Sequence, residues 1–401
     1  MHVLHVTPYF PPTWAYGGIP RIVHGLSRAL ARQGVVNSVW TTDALDHRRA
    51  EVPPRRSLDG VEVFVSPNRS NRLAYTQQLF LPQGGPATLE TLHAERPVDL
   101  LHLHGHRHLL NNLALAFARR HGLPYVFTPN GTLPRHERKV GVKRLWDWLL
   151  ADAVPQGAAR IIAVSRAELG QLRRAGLPPE RARQIPNGLS LEEFEALPAP
   201  GTFKARWGVK GPMVAYLGQI SPRKGVDHLV AAFGGGAIPG ATLVIGGNDM
   251  GGLAKVRAQD HDGVIFTGLL EGPERLALLV DADVLVYPST DEVFGLVPFE
   301  GLLCGAPVIV GGDCGCGELI AEAGAGLLVR HSDVEGLRER VRALLSDRAS
   351  AEVMVRRGRR YIEQHLSFER VARDHAALYA EVLAEAGREA KREAGGRRGP
   401  S

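Results

Sequence analysis

The sequence contains no long apolar run and very little cysteine. Its apolar runs, such as those at residues 241–245, 284–287 and 307–310, have the length of single strands, whereas a membrane-spanning helix needs about 20 apolar residues. Three cysteines cannot form a disulfide framework. These absences argue against a membrane-spanning protein and against a small disulfide-stabilised one. We therefore expect a protein of the reducing cytoplasm.

The chain also has little net positive charge outside the C-terminus. The formal net charge is +6, and half of it comes from residues 387–401, which hold five Lys or Arg against two Glu. Because the rest of the chain is nearly balanced, we expect no nucleic-acid partner. We predict that residues 387–401 form a flexible, solvated tail; the alternative is that they contact an anionic membrane surface.

The pattern of apolar residues predicts two doubly wound α/β domains. Strand and helix signals alternate along most of the chain, which is typical of parallel sheets covered by helices. The alternation starts again at residues 214–217, after a Pro- and Gly-rich linker at 196–201. We predict domains at residues 1–194 and 195–366, and a helix at 367–386 that returns to the first domain. The ligand site is expected in a cleft between the domains, at the carboxyl ends of their strands.

The most informative segment places two carboxylates around a turn. Glu292 and Glu300 bracket the turn formed by Phe294, Gly295 and Leu296. A strand signal precedes this turn and a helix signal follows it, so its backbone N–H groups point at a ligand, which favours phosphate. Since carboxylates repel phosphate, the two glutamates should face neutral hydroxyl groups. A phosphate flanked by hydroxyl-rich groups describes a sugar nucleotide.

A second segment supplies cations to the same predicted sheet edge. The first strand of the second domain is followed by Gly218, Gln219, Arg223 and Lys224. The two cations could neutralise a diphosphate without a metal ion. The alternative interpretation is an ordinary solvated turn.

A glycine pair follows the first strand of the chain. Gly17 and Gly18 come before a helix whose first turn carries Arg21. This arrangement predicts an acceptor or phosphate loop; the alternative is a flexible loop. A dinucleotide site is not indicated, because no G-x-G-x-x-G opens this helix.

Four histidines alternate near a predicted strand end, at positions 102, 104, 106 and 108. Gly105 should end the strand within this run. We expect His104 to line the cleft and the others to be structural. A zinc site is the alternative, although the sequence shows no further ligand for it.

Two further motifs allow two interpretations each. Asp281 and Asp283 match the D-x-D of metal-dependent sugar transferases, but their place at a helix end favours capping and solvation. Residues 139–150 combine cations, two Trp and leucines, which predicts either a core-packed helix or an amphipathic segment on a lipid surface.

Together these segments resemble the retaining glycosyltransferases of family 4, which have the GT-B fold, over about residues 1–385. Two glutamates separated by seven residues are that family's signature. The other matching segments, in chain order, are residues 12–30, 98–104, 162–165, 185–188 and 216–225.

The resemblance implies that the first domain binds an acceptor and that the second binds a UDP- or GDP-linked sugar, with no cofactor or metal. Glu300 would accept hydrogen bonds from the ribose hydroxyls, and Glu292 from the donor sugar. Arg223 and Lys224 would stabilise the departing diphosphate, so these two and Glu292 are the expected catalytic residues. The donor would also meet Gly218, Gln219, and the N–H groups of Phe294, Gly295 and Leu296. A hexosyl group would be transferred with retention of configuration.

Two positions depart from the family pattern. Gln219 stands where arginine is common, which places more of the phosphate charge on the two cations that follow. Asn130 stands where many relatives have histidine. An amide can bind a hydroxyl but cannot transfer a proton near neutral pH, so we expect Asn130 only to position the acceptor.

The acceptor is expected to be a saccharide or a lipid-linked sugar of surface polysaccharide or glycolipid synthesis. The enzyme would work in the cytoplasm, with possible contact at the inner face of the membrane. The alternatives are a nucleotide-sugar 2-epimerase of the same fold and a non-catalytic sugar-nucleotide-binding protein. A dehydrogenase is disfavoured by the missing glycine fingerprint.

Overall fold

The computed structural model describes residues 1–13, 17–134, 153–259 and 262–396, with only the backbone for the last four of these. The chain divides into two compact units. The first contains Met1–Leu189 and the chain from Phe368 onwards, and the second contains Ser190–Ser367. Both are built on parallel sheets, which confirms the predicted α/β class.

In the described part of the chain, eight strands form the sheet of the first unit. They are β1 His2–Val6, β2 Val36–Thr42, β3 Arg55–Leu58, β4 Val61–Ser66, β5 Leu100–His104, β6 Tyr125–Thr128, β7 Arg160–Ala163 and β8 Ala182–Gln184. Their order is β3-β4-β2-β1-β5-β6-β7-β8, and every neighbouring pair is parallel except β3 and β4.

The sheet of the second unit has the order β11-β10-β9-β12-β13-β14 and is parallel throughout its described strands. These strands are β9 Met213–Leu217, β10 Thr242–Gly246, β11 Val264–Gly268, β12 Val284–Tyr287, β13 Val308–Gly311 and β14 Gly326–Val329. Because β9 and β12 are neighbours, the segments that follow them meet at one edge of the sheet. This placement brings the predicted cation segment to the predicted glutamate segment.

The described α-helices lie between these strands in the chain, except the last three, which follow β14. They are α1 Ile19–Arg32, α2 Asn71–Gln77, α3 Gly85–Glu95, α4 Leu109–His121, α5 Ala153–Gly157, α6 Arg166–Arg174, α7 Thr202–Trp207, α8 Val226–Phe233, α9 Leu253–Arg257, α10 Gly272–Asp281, α11 Val297–Cys304, α12 Gly315–Ala323, α13 Val334–Ser346, α14 Arg348–Tyr361 and α15 Phe368–Gly396. None of them has both the length and the apolar composition that a membrane-spanning helix needs.

The domain boundaries differ from those predicted. The units divide after residues 189 and 367, whereas we placed the boundaries after 194 and 366 with a linker at 196–201. Side chains of the second unit contact residues 193 and 201, which lie on either side of the predicted boundary after residue 194. Arg275 contacts Glu193, and Asp281 accepts a hydrogen bond from the N–H of Gly201 at 2.6 Å.

The edge strand β3 is absent from the sequence prediction. This strand has no apolar run, because it contains two arginines and, as an edge strand, buries little of its side-chain surface. Its signal was the turn that follows, where Asp59 and Gly60 both have positive φ angles of 50° and 81°. An Asp-Gly pair with this conformation is the turn that closes a two-residue β-hairpin.

Helix α15 packs on the sheet of the first unit. The ring of Phe368, at its start, lies where a Cβ on Gly25 or on Gly188 would stand, at 2.0 and 2.3 Å from those positions. Tyr379 is fully buried, and its hydroxyl lies 2.7 Å from Nδ1 of His102 on β5. Glycine is therefore required on α1 and after β8 for this helix to approach.

The predicted flexible tail is wrong over its first ten residues, because α15 continues to Gly396. This part of the sequence is rich in Ala, Glu, Lys and Arg, which have the highest helix propensities. It therefore extends a helix that is already anchored upstream. Residues 397–401 lie outside the described residues.

Candidate functional site

The site in the second unit is built around the carboxylate of Glu292. Lys224, which ends a short 3-10 turn after β9, contacts Oε2 of Glu292 and donates a hydrogen bond to the hydroxyl of Tyr287 at 2.7 Å. Tyr287 and Ser289, from the end of β12, donate to the same carboxylate oxygen at 3.0 and 3.1 Å. One cation and two hydroxyls thus fix the orientation of Glu292.

These contacts determine the charge of Glu292. Burial by itself would raise the pKa of its carboxyl, but Lys224 and the two hydroxyl donors outweigh burial, and the pKa lies below its usual value. Burial, and next the negative charge of Glu292, raise the pKa of Tyr287 well above its usual range. Glu292 is therefore an ionised carboxylate near neutral pH and can only accept hydrogen bonds.

The turn after Glu292 presents backbone donors. Within the described residues, the N–H groups of Phe294, Gly295 and Leu296 have no protein acceptor, and α11 begins directly after them. Gly295 has a φ of 78°, and a Cβ there would stand 3.1 Å from the sulfur of Cys316. The ring of Phe294 is buried against Phe299, with ring centroids 5.4 Å apart. Packing of the Phe294 ring thus fixes the turn, and the N–H groups of the turn form a site suited to an anion.

Glu300 lies in the first turn of α11 and has a partner that the sequence analysis missed. Nη1 of Arg275, on α10, lies 2.6 Å from Oε2 of Glu300, and the two side chains are only 10% and 8% exposed. The available signal was a charged residue on an apolar helix face. Arg275 precedes the buried Leu278 and Leu279 by three and four positions, and such spacing places residues on one side of a helix.

Hydrogen bonds to backbone groups fix the loop after β9. The N–H of Gly218 donates to Gly246 at 2.9 Å, and the hydroxyl of Tyr216 donates to the carbonyl of Gln219 at 2.7 Å. The carbonyl of Arg223 accepts from the N–H of Thr290 at 2.9 Å, which joins this loop to the glutamate segment. The structure thus joins the loop after β9 to the segment of Glu292 within the second unit, and Glu300 follows that segment in the first turn of α11.

The D-x-D pair has the capping role that the sequence predicted, but Asp281 is buried at 7% exposure instead of solvated. Asp281 accepts hydrogen bonds from the N–H groups of Phe203 and Lys204 at 2.8 and 2.9 Å, at the start of α7. Asp283 accepts from Nζ of Lys204 at 2.6 Å and from the N–H of Met213 at 2.8 Å. Both carboxylates therefore make structural hydrogen bonds within the second unit.

The candidate residues of the first unit lie near the carboxyl ends of its strands. Gly17 has a φ of 94°, the carbonyl of Gly18 accepts from Ile22 at 3.0 Å, and Arg21 lies in the first turn of α1. Asn130 has a φ of 51° after β6. Its side-chain amide is buried and makes no hydrogen bond to a described residue.

His104 is more deeply buried than a residue lining a cleft. It is 1% exposed, and with His102 and Asn130 it lines a cavity of about 10 Å³ inside the first unit. Burial holds the pKa of His104 well below its usual value, and the neighbouring histidines add to this effect. His104 is therefore neutral and reaches only this small cavity.

The histidine cluster includes His5 on β1, which the sequence analysis did not consider. Ring nitrogens of His5, His102 and His104 lie within 4.8 Å of one another, and Nδ1 of His5 is 3.0 Å from Nε2 of His104. Both nitrogens of His102 are already hydrogen-bonded, to Tyr379 and Thr128. A cation here would have to break those bonds without a carboxylate in the cluster, so the residues fit a hydrogen-bonded core better than a metal site. The predicted amphipathic segment at 139–150 lies outside the described residues.

The chain matches known families over both units. Residues 202–361 match the family described as "Glycosyl transferases group 1", and residues 16–193 match "Glycosyltransferase Family 4". A D-inositol 3-phosphate glycosyltransferase from Kineococcus radiotolerans is 30% identical over 400 residues, which cover 89% of each chain. A glycogen synthase from Mycobacterium tuberculosis is 28% identical over 406 residues, 94% of each chain.

Solved structures share the fold. A sucrose-phosphate synthase from Thermosynechococcus elongatus superposes with a TM-score of 0.73 at 23% identity, covering 96% of this chain and 99% of that one. The Anabaena protein HepE, in complex with UDP-glucose, gives a TM-score of 0.72 at 18% identity, over 95% of this chain and 100% of that one. These similarities confirm the predicted fold.

Proposed function

Because this chain belongs to the group 1 glycosyltransferases of family 4, we propose that it moves a hexosyl group from a UDP- or GDP-linked sugar to an acceptor hydroxyl, with retention and without a metal ion. The observation that carries the proposal is the assembly at one sheet edge of the second unit. Glu292 and Glu300, the cations Arg223 and Lys224, and the N–H groups before α11 meet there. Carboxylates suit hydroxyls, while cations and N–H groups suit a diphosphate.

In the proposed reaction, the bond from the anomeric carbon to the diphosphate oxygen breaks as a bond to the acceptor oxygen forms. The acceptor attacks from the face that the diphosphate leaves, and its proton passes to an oxygen of the leaving phosphate. Arg223, Lys224 and the backbone donors stabilise the charge that develops on the diphosphate. Preorganised groups of this kind contribute about 10²–10³-fold each to the rate. Glu292, oriented by Lys224, holds the donor sugar.

The engagement of the D-x-D pair supports a reaction without metal. In metal-dependent sugar transferases such a pair would bind the cation that holds the diphosphate. Here Asp281 and Asp283 accept hydrogen bonds from backbone N–H groups and from Lys204. Binding a cation would break these contacts, so the diphosphate charge is assigned to the two cations and the backbone donors.

The names of the relatives suggest where to begin the substrate search. HepE was crystallised with UDP-glucose, and the similar enzymes named above include a glycogen synthase and an inositol phosphate glycosyltransferase. We propose a saccharide or lipid-linked acceptor, in surface polysaccharide or glycolipid synthesis in the cytoplasm. Contact with an anionic membrane is proposed on the composition of residues 139–150 and of the basic C-terminus.

The test is product analysis with the purified protein. UDP- and GDP-linked glucose, mannose and galactose are incubated with saccharide and glycolipid acceptors, and the products are identified by mass spectrometry and by the anomeric coupling in NMR. An α-linked product from an α-linked donor is expected. A β-linked product would overturn retention. Recovery of an epimerised donor, or of bound but unreacted donor, would favour the epimerase or the non-catalytic binding protein.

A further inference from the structure

Arg275 forms ion pairs with two carboxylates, the buried one of Glu300 and the half-exposed one of Glu193. Its Nη1 lies 2.6 Å from Oε2 of Glu300, and its Nη2 lies 3.5 Å from a carboxylate oxygen of Glu193. Nη1 makes no well-directed hydrogen bond, so its contact with Glu300 is an ion pair at close range. Glu193 belongs to the short 3-10 helix Leu191–Phe194 and is half exposed.

A buried cation at this position costs desolvation energy. Two charges taken out of water are often no more stable than well-packed apolar side chains of similar volume, so burial of the pair is weak evidence for a stabilising role. Such a pair can instead fix one orientation of a side chain. Arg275 is suited to this, because its planar guanidinium contacts two carboxylates at once.

We infer that Arg275 is a positioning residue of the donor site, which holds the carboxylate of Glu300 in the orientation that accepts the two ribose hydroxyls. The inference rests on the proposed function, in which Glu300 binds ribose. A carboxylate has about four acceptor positions on its two oxygens, so the contact at Oε2 is compatible with two further hydrogen bonds. Glu193 holds the other side of the guanidinium and keeps it directed at Glu300.

The inference predicts a change in ribose recognition specifically. A merely structural Arg275 would, when replaced, weaken every nucleotide equally or lower the melting temperature alone. A positioning Arg275 would, when replaced, remove the advantage of a nucleotide that carries ribose hydroxyls over one that lacks them. The diphosphate and base contacts would be unchanged.

The experiment measures dissociation constants of UDP, GDP and their 2′,3′-dideoxy counterparts by calorimetry. For the wild type we expect the better-bound diphosphate to bind about 10²–10⁴-fold more tightly than its dideoxy form, as two hydrogen bonds to a charged group should give. In Arg275→Met this ratio should fall below fivefold, while the dideoxy constant changes less than threefold. Glu300→Gln should also lower the ratio.

Two further variants complete the design. Arg206→Met removes a neighbouring but exposed ion pair, to Glu274 at 3.4 Å, and should keep the wild-type ratio. Arg275→Lys keeps the positive charge but loses the planar guanidinium that contacts two carboxylates, so we expect the ratio to fall at least threefold. If Arg275→Met does not fold, Arg275→Lys provides the test.

A wild-type ratio in the folded Arg275 variants, or equal weakening of both nucleotides, would overturn the inference. Absence of any nucleoside diphosphate binding to the wild type would instead refute the proposed function, before the variants are compared.

Discussion

Acid should unfold the first unit before the second, because the described first unit buries six histidines with lowered pKa values. One is His2, which is 4% exposed and whose pKa is lowered mainly by burial. The other five are His5, His102, His104, His108 and His375, none more than 5% exposed. Burial is the main cause that lowers each pKa, to about 3 for His5, to about 4 for His108 and His375, and well below the usual value for the other two.

The sign of the effect follows from these directions. In the unfolded chain the histidines take up protons near pH 6.5, whereas in the folded unit they do not. The histidines therefore have little effect on stability well above pH 6.5, where both states are neutral, and they lower the free energy of unfolding as the pH falls through and below 6.5. From pH 7.5 to pH 5, each histidine costs about 2 kcal/mol, or about 10 kcal/mol for the five.

One buried carboxyl acts in the opposite direction. Glu168 accepts hydrogen bonds from the N–H groups of Gly131 and Val164 at 2.6 and 2.8 Å, but burial dominates and raises its pKa to about 7. Over the same pH range its protonation returns about 2 kcal/mol. The net loss of about 8 kcal/mol is comparable with the whole stability of a typical domain, about 5–15 kcal/mol.

The assay is pulsed hydrogen exchange with mass spectrometry. The protein is equilibrated between pH 7.5 and pH 5, then labelled briefly at one common pH. Peptides from β1 and β5 should lose protection at a higher pH than peptides from β9 and β12. His47→Asn, at an exposed site, should leave the transition unchanged. If peptides of both units lost protection together, or the first unit stayed protected at pH 5, the reasoning would be refuted.

Three further outcomes test the proposed function. Glu300→Ala should weaken binding of the free nucleoside diphosphate, whereas Glu292→Ala should spare that binding and lower turnover about 10²–10³-fold. Calorimetry and initial rates would separate the two variants. Unchanged diphosphate affinity in Glu300→Ala would contradict the assignment of Glu300 to ribose. Activity should persist in excess EDTA, and a loss that Mg²⁺ restores would place a metal in the reaction. Binding to anionic vesicles should weaken in high salt and in Lys143→Glu/Arg144→Glu; equal sedimentation with neutral vesicles would remove the proposed membrane contact.

The sequence alone located buried strands of the second unit and the donor segments that follow two of them. Apolar runs located β9, β10, β12 and β13 to within one residue, because buried parallel strands are short continuous apolar runs. The spacing of Glu292 and Glu300 predicted that both would lie at the turn and first helical turn after a strand. These signals are local, since each depends on residues within one strand–turn–helix unit.

Only the tertiary structure decided which distant side chains meet. Arg275 reaches Glu300, His5 joins two histidines almost 100 positions away, and Tyr379 on α15 reaches His102. No periodicity encodes such pairs, because they depend on which strands are neighbours and on how closely a helix can approach a sheet. The sequence thus determined the chemistry at the end of each strand, while the packing of β9 against β12 and of α10 against α11 determined which of those groups act together.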